Sequence, residues 1–247
     1  MHMSTYKAMK SITQATRPMI LLFGDSLTEQ GFGMNGKIGW ASLLAADYSR
    51  RADVFNRGFF GYNSQHAVDL LPSLPLDDQS PCLFCTVYFG ANDATTPGSR
   101  QYISEGQFAS NLSNVVTTIQ NQQKQSRSIP VILMTPPPLD SVAWTEFRGL
   151  TNRSNERHKL YGEVVKEVAQ RHNCAVLDVW SLLEGDKSVE TYNQYLTDGL
   201  HLNELGNRKL YSGLSRLIHK VYPELVPQTV EGENGIPLEG QHWEELC

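Results

Sequence analysis

Five short apolar runs punctuate this chain: MILLF (19–23), DVFN (53–56), CLFCTVYF (82–89), VILMT (131–135) and AVLDV (175–179), each bounded by turn residues. Runs of this length read as strands covered on both faces, which is the condition of a parallel sheet. The segments between them repeat their apolar residues at three- and four-residue intervals. Ile38–Tyr48 carries IGWASLLAADY, and Phe108, Leu112, Val115, Val116 and Ile119 form one stripe. Tyr161, Val164, Val165 and Val168 form another, and Leu205, Leu210, Leu214, Leu217 and Ile218 form the last. Alternating strands and helices predict an α/β fold, a doubly wound parallel sheet of about five strands with helices on both faces.

A chain of 247 residues, 40% of them hydrophobic and 19% charged, is long enough for one such domain, and no internal repeat or low-complexity linker divides it. The net charge of −5 and the lack of Lys/Arg runs exclude an electrostatic footprint for nucleic acid and a polybasic membrane anchor. No apolar stretch approaches the roughly 18 residues of a membrane span, and MHMSTYKAMKSITQATRP lacks the apolar centre of a secretory signal. The expectation is a soluble, cytoplasmic protein acting on a small molecule; oligomeric state leaves no mark in the sequence. Cys82, Cys85, Cys174 and Cys247 are too sparse for a disulfide framework. The CLFC spacing invites a metal or redox reading, but strict alternation along a strand would send residues 82 and 85 to opposite faces, and no second ligand pair exists.

In a doubly wound sheet, ligands bind beyond the carboxyl ends of the strands. That rule selects the loops GDSLTEQ after the first strand, RGFFGYNS after the second and GANDA after the third. Ser26 follows the first strand by two residues, where it suits either a nucleophile or a helix cap. As a nucleophile it needs a base within hydrogen-bond reach, itself held by a third group. LTDGLHLNELG supplies Asp198 and His201 around a turn at Gly199; His66, after the second loop, is the competing histidine. Acyl transfer also needs donors for the developing oxyanion. The amide of Asn92 and a backbone N–H at Gly61 are at the right end of the sheet to provide them.

The four blocks GDSL (24–27), NRGFFGYNS (56–64), GAND (90–93) and DGLH (198–201) resemble, in order, those of the SGNH hydrolases, also called GDSL esterases or lipases. GWASLLAADYSRRADVFNRGFFGYNSQ, LMTPPPLD and LTDGLHLNELGNRKLY are most similar to the isoamyl acetate-hydrolysing esterase group. The likeness covers residues 18–222, leaving an N-terminal extension, 1–17, and an acidic C-terminal tail, 223–247, in which Trp243 is a candidate local anchor. It implies a single-domain three-layer α/β/α sandwich, SGNH/flavodoxin-like, and a serine esterase needing no metal or organic cofactor. Ser26 would be the nucleophile, His201 the general base and Asp198 its orienting carboxylate. The N–H groups of Ser26 and Gly61 and the amide of Asn92 would form the oxyanion hole, with Gly61 preferred to Gly58. Asp25 and Asp93 would organise their loops. The resemblance favours short-chain acetate esters; thioesterase, lysophospholipase and carbohydrate deacetylase activities are the alternatives within the superfamily.

Phe32, Phe59, Phe60, Tyr62 and Trp144 lie in or near the site loops, and Phe32, Phe59, Tyr62 and Trp144 are the candidate pocket residues, with Pro136–Pro138 a candidate wall. A rival reading takes GFGMNG (31–36) as a dinucleotide fingerprint with Asp53 as the ribose acid. Seven residues separate Phe23 from Gly31, whereas that fingerprint turns directly from strand to helix, and Asp53 begins its strand instead of ending it. No Gly-x-Ser-x-Gly elbow supports an α/β-hydrolase. A noncatalytic binding module that retains the site is the third alternative.

Overall fold

The computed structural model describes residues 17–76, 80–122 and 128–227, together with Ile236. The five apolar runs become strands β1 (Met19–Gly24), β2 (Asp53–Gly58), β3 (Cys82–Tyr88), β4 (Val131–Met134) and β5 (Ala175–Leu177). All pair in parallel, in the order β2-β1-β3-β4-β5. β1 and β4 are buried along their whole length, whereas edge strand β2, DVFNRG, keeps its polar residues half-exposed. β5 is shorter than its sequence suggests because Asp178 turns away to cap the next helix, accepting from Ser181 N–H at 3.1 Å.

The helices are α1 (Ser26–Glu29), α2 (Trp40–Asp47), α3 (Ser64–Leu70), α4 (Glu105–Asn121), α5 (Ser141–Arg148), α6 (Asn155–Arg171), α7 (Val179–Leu182), α8 (Val189–Asn193) and α9 (Glu204–Val221). Side chains of Ser104, Ser154 and Asn203 cap the three long ones, α4, α6 and α9. One core layer joins Ile20, Leu22, Phe84 and Met134 to α2 and α9; the other joins Leu21, Phe23, Val87 and Leu133 to α4 and α6. Leu205 departs from the expected α9 stripe: it is exposed, and Leu210, Gly213, Leu214 and Ile218 make the packed face.

The cysteine pair also departs from expectation. The β1–β3 register slips between Met19↔Cys82 and Ile20↔Phe84, so Leu83 is an extra residue and alternation restarts after it. Cys82 and Cys85 therefore occupy the same core layer. Burial pushes the Cys82 thiol up to about 12 and that of Cys85 well above its ordinary value.

No described helix is long and apolar enough to cross a membrane. The N-terminal extension before Arg17, including His2, and the tail residues His242, Trp243 and Cys247 lie outside the described residues. The chain leaves β1 toward β2 on one side and later places β3 on the other. This reversal opens a crevice at the carboxyl ends of β1, β2 and β3.

Candidate active site

The GDSL loop fills that crevice because its residues fit only one way. A Cβ on Gly24 would come within 2.1 Å of Thr28 Oγ1 and 2.7 Å of the Tyr88 carbonyl, so glycine is required where β1 turns. The helix cap is Asp25, which accepts from Leu27 N–H at 2.9 Å, and Ser26 is left as the first residue of α1 with its hydroxyl uncommitted to capping. Asn56 braces the loop from β2: its Nδ2 donates to the Thr28 carbonyl at 2.7 Å and its Oδ1 accepts from Gly58 N–H at 2.8 Å.

Asp198 and His201 arrive from the turn between α8 and α9. Gly199 holds φ +88°, and a Cβ there would lie 2.4 Å from the Asp140 carbonyl, so this turn also demands glycine. Asp198 Oδ1 accepts from the N–H groups of Leu200 (3.0 Å) and His201 (2.8 Å), while Oδ2 meets His201 Nδ1 at 2.7 Å. Burial would raise the Asp198 carboxyl, yet the hydrogen bonds from His201 and Leu200 hold it below its ordinary value, and it is ionised. A carboxylate at Nδ1 places the neutral ring's proton on that nitrogen. His201 Nε2, 2.9 Å from Ser26 Oγ, is then free to accept a hydrogen bond from the serine hydroxyl.

The predicted oxyanion donors share a cavity of about 160 Å³ with Ser26 and His201. Gly61 takes φ +76°, and among the described residues no acceptor engages its N–H or that of Ser26. One N–H of the Asn92 amide donates to the Tyr62 carbonyl at 2.8 Å, leaving the second free. The orientation of that amide is enforced from the other side. Asn92 Oδ1 accepts from the Arg153 guanidinium at 2.7 Å and from Gln101 Nε2 at 3.1 Å, and a flipped amide would set its own donors against theirs. Gln101 Nε2 also donates to the Gly61 carbonyl at 2.7 Å, tying the second and third motif loops together.

Beneath Ser26 is a layer of buried ionisable groups. Asp93 organises its loop as expected, accepting from Ser64 N–H at 2.9 Å. Burial raises the Asp25 carboxyl to about 7 and that of Asp93 to about 6. It lowers Arg153 to about 10 and, with the Arg153 charge nearby, His158 to about 3. His158 is fully buried in α6, a placement its polar sequence neighbours concealed, with Nδ1 2.8 Å from the Pro137 carbonyl. Asp25 Oδ2, Asp93 Oδ2, Tyr88 Oη and His158 Nε2 have no hydrogen-bond partner among the described residues.

Of the expected pocket residues, Trp144 lines the cavity together with Phe60, Gln101, Arg148, Leu150, Arg153 and Leu200. The others do not. Phe59 and Tyr62 stack on each other at 5.3 Å and pack against the α4 layer, because Phe59 continues the inward parity of Phe55 beyond the end of β2. Phe60, one residue on, faces His201 at 6.2 Å and nearly parallel. Phe32 is exposed and lines neither this cavity nor the adjoining one of about 460 Å³. Pro136 packs behind Gly90 instead of forming a wall. His66 is committed to the capping box of α3, where its Nδ1 accepts from Asn63 N–H at 3.2 Å. Asp53 pairs with Arg17 at 3.3 Å at the amino end of β2, opposite the crevice, and Gly31 and Gly33 are packed into a tight turn. A cavity of about 490 Å³ between α5, α6 and α8 is lined by three carboxylates, Asp140, Glu156 and Glu190, and by Asn155 and Asn193, with no histidine, lysine or arginine, and Asp140 is engaged in capping α5.

Comparison with known proteins gives a consistent picture. The GDSL-like lipase/acylhydrolase family model matches residues 22–209. The chain is similar to the isoamyl acetate-hydrolyzing esterase 1 homolog of Homo sapiens, 38% identical over 214 residues that cover 82% of each chain. It is 34% identical to a GDSL esterase/lipase of Arabidopsis thaliana over 226 residues, 85% of this chain and 90% of that one. Among solved structures, a lipase/acylhydrolase from Enterococcus faecalis superposes with a TM-score of 0.64 at 26% identity, covering 82% of this chain and 96% of its own. An acetylxylan esterase from Geobacillus stearothermophilus shares the fold, with a TM-score of 0.62 at 19% identity over 82% and 94% of the two chains.

Proposed function

This chain belongs to the GDSL-like lipase/acylhydrolase family and is a carboxylic ester hydrolase, and from that premise we propose that it works through an acyl-enzyme on Ser26, with His201 as base and Asp198 as its orienting carboxylate. The carrying observation is the chain of contacts from Asp198 to His201 at 2.7 Å and from His201 to Ser26 Oγ at 2.9 Å, in one cavity with Gly61 and Asn92. Ser26 Oγ attacks the ester carbonyl as His201 Nε2 takes its proton. The N–H groups of Ser26 and Gly61 and the free N–H of Asn92 receive the oxyanion, and the alcohol departs with the proton held by His201. Water repeats the sequence to release the acid. Arg153 acts through Asn92: it fixes the amide and polarises it through a charged hydrogen bond to Oδ1.

The acyl group is short. The cavity around Ser26 measures about 160 Å³, well under the roughly 300–1,000 Å³ typical of pockets for drug-sized ligands. The likeness to isoamyl acetate-hydrolyzing esterase homologs supports an acetate-type substrate. Turnover of p-nitrophenyl esters from acetate to palmitate, alongside acetylated sugars and acyl-CoA, tests both parts. The expected profile peaks at roughly two to four carbons and vanishes in Ser26→Ala, which also loses labelling by a fluorophosphonate. Wild-type turnover in Ser26→Ala would sink the mechanism, and a palmitate optimum would sink the chain-length assignment.

A further inference from the structure

Arg148, at the end of α5, lines both the small cavity at Ser26 and the larger one of about 460 Å³ that adjoins it at Phe60 and His201. Its guanidinium lies over three rings, Phe60 (5.5 Å), Trp144 (5.5 Å) and Phe147 (5.3 Å), which hold it at the junction. Yet no described residue accepts a hydrogen bond or forms an ion pair with it. The same holds for the Lys37 ammonium, which lines the outer cavity. The two carboxylates on that wall are already engaged: Asp198 with His201 at 2.7 Å, Glu204 with Arg208 at 2.7 and 3.1 Å. Met34, Ile38, Phe60, Phe147 and Leu202 supply the apolar lining between the cations. A guanidinium seated on aromatic faces keeps its donors in a fixed fork suited to a carboxylate or phosphate.

We propose that the outer cavity receives the alcohol part of the ester and that Arg148, with Lys37 adding positive charge along the same cavity, binds an anionic group carried by that alcohol, so that the preferred substrates are short-chain acyl esters of alcohols bearing a carboxylate or phosphate. This rests on the esterase reading above and names its substrate class. The ester end reaches Ser26, the apolar middle lies along Phe60 and Phe147, and the anion meets the guanidinium. Both cations are exposed, so the attraction is screened by salt.

The test compares 6-acetoxyhexanoate with 6-acetoxyhexanamide, whose charge difference is too remote from the ester to alter its intrinsic reactivity. The expected result is a kcat/KM for the carboxylate roughly ten-fold above that of the amide at low ionic strength, a ratio that shrinks as salt is raised. Arg148→Gln brings the ratio near one and Arg148→Lys retains part of it. In 6-acetoxyhexyl phosphate, a larger preference assigns the anion to phosphate and a smaller one to carboxylate. Equal handling of the anionic and neutral esters by the wild type, or a preference that survives Arg148→Gln, overturns the proposal. Calorimetric binding of the same compounds to Ser26→Ala separates the two readings. Anion-selective binding by a wild-type protein that turns over no ester would overturn the esterase mechanism and leave the anion subsite standing.

Discussion

The floor beneath Ser26 and the mouth above it are built on opposite principles. Asp25, Asp93 and His158 are fully buried and Arg153 is 6% exposed, and desolvation is the largest influence on the ionisation of each. The mouth leaves Phe60 52%, Phe147 62% and Met34 51% exposed beside two cations that no described residue pairs. Buried polar groups are costly and tolerate little displacement, so the floor holds the reacting atoms in place at the expense of stability. Exposed apolar and cationic groups cost little and can change without disturbing the fold. The catalytic geometry and the substrate preference of this protein are thus separable, and variants in the two regions should fail in different ways.

The largest effect is expected at Asp198, which orients the proposed base His201. Asp198→Asn keeps the shape but removes the charge that fixes the His201 tautomer, and kcat should fall by about 10⁴ with the melting temperature little changed. Stopped assays on p-nitrophenyl acetate measure it; a loss under ten-fold would separate Asp198 from the mechanism. Arg153→Met should come next. Asn92 Oδ1 loses its charged donor, the amide is free to turn, and kcat should drop by about 10²–10³ with KM nearly constant. Partial rescue of kcat by added guanidinium ion would distinguish positioning from collapse of the fold, and a KM-only effect would refute it.

The stability cost of the floor is measurable through Asp25. Its carboxyl stands at about 7 in the folded protein against 3.8 unfolded, so between those values the folded state binds the proton more tightly. This contribution to stability is complete below pH 3.8 and is lost as pH rises through 7. His158, lowered to about 3 from 6.5, works the other way: its contribution is complete above 6.5 and is lost as pH falls toward 3. The difference between Asp25→Asn and wild type cancels the histidine. Asparagine can still accept from Leu27 N–H, so the variant should gain on wild type by roughly 1–4 kcal/mol between pH 4 and pH 8 in urea unfolding. A pH-independent difference would mean that Asp25 is ionised in the fold.

The same division explains what the sequence disclosed. Ser26, Gly61 and Asn92 each follow a strand end within four residues, and Asp198 and His201 share one short turn, so local motif and strand position were enough to bring them together. The five strands followed from apolar runs that need cover on both faces. Arg153 carried no such signal: it lies in a loop between α5 and α6, with no periodicity, and its partner Asn92 is 61 residues away. Arg148 was equally silent, because an arginine at a helix end ordinarily faces solvent. The CLFC pair misled for a different reason. Alternation holds only along an unbroken strand, and the register slip beside Leu83 can be read only from the pairing of β3 with β1. Phe59 and Phe60, by contrast, were distinguishable: carrying the parity of β2 past Gly58 would have turned Phe59 inward and Phe60 toward the site.

Those two phenylalanines give the smallest and sharpest contrast between floor and mouth. Phe59 stacks on Tyr62 within the α4 layer and lines neither cavity at the site, so Phe59→Ala should cost about 1–3 kcal/mol of stability. Its activity per folded molecule should stay within about two-fold. Phe60 is half exposed, runs nearly parallel to the His201 ring at 6.2 Å and seats the Arg148 guanidinium. Phe60→Ala should therefore leave stability within about 0.5 kcal/mol and lower kcat/KM by roughly three- to ten-fold, chiefly through KM, since an aromatic contact with substrate and the support for a cation are lost together. Thermal melting and steady-state kinetics on the pair resolve the two outcomes. If Phe59→Ala impaired kinetics while Phe60→Ala impaired only stability, the parity argument and the assignment of the mouth would both be wrong, because the same one-residue alternation supports them.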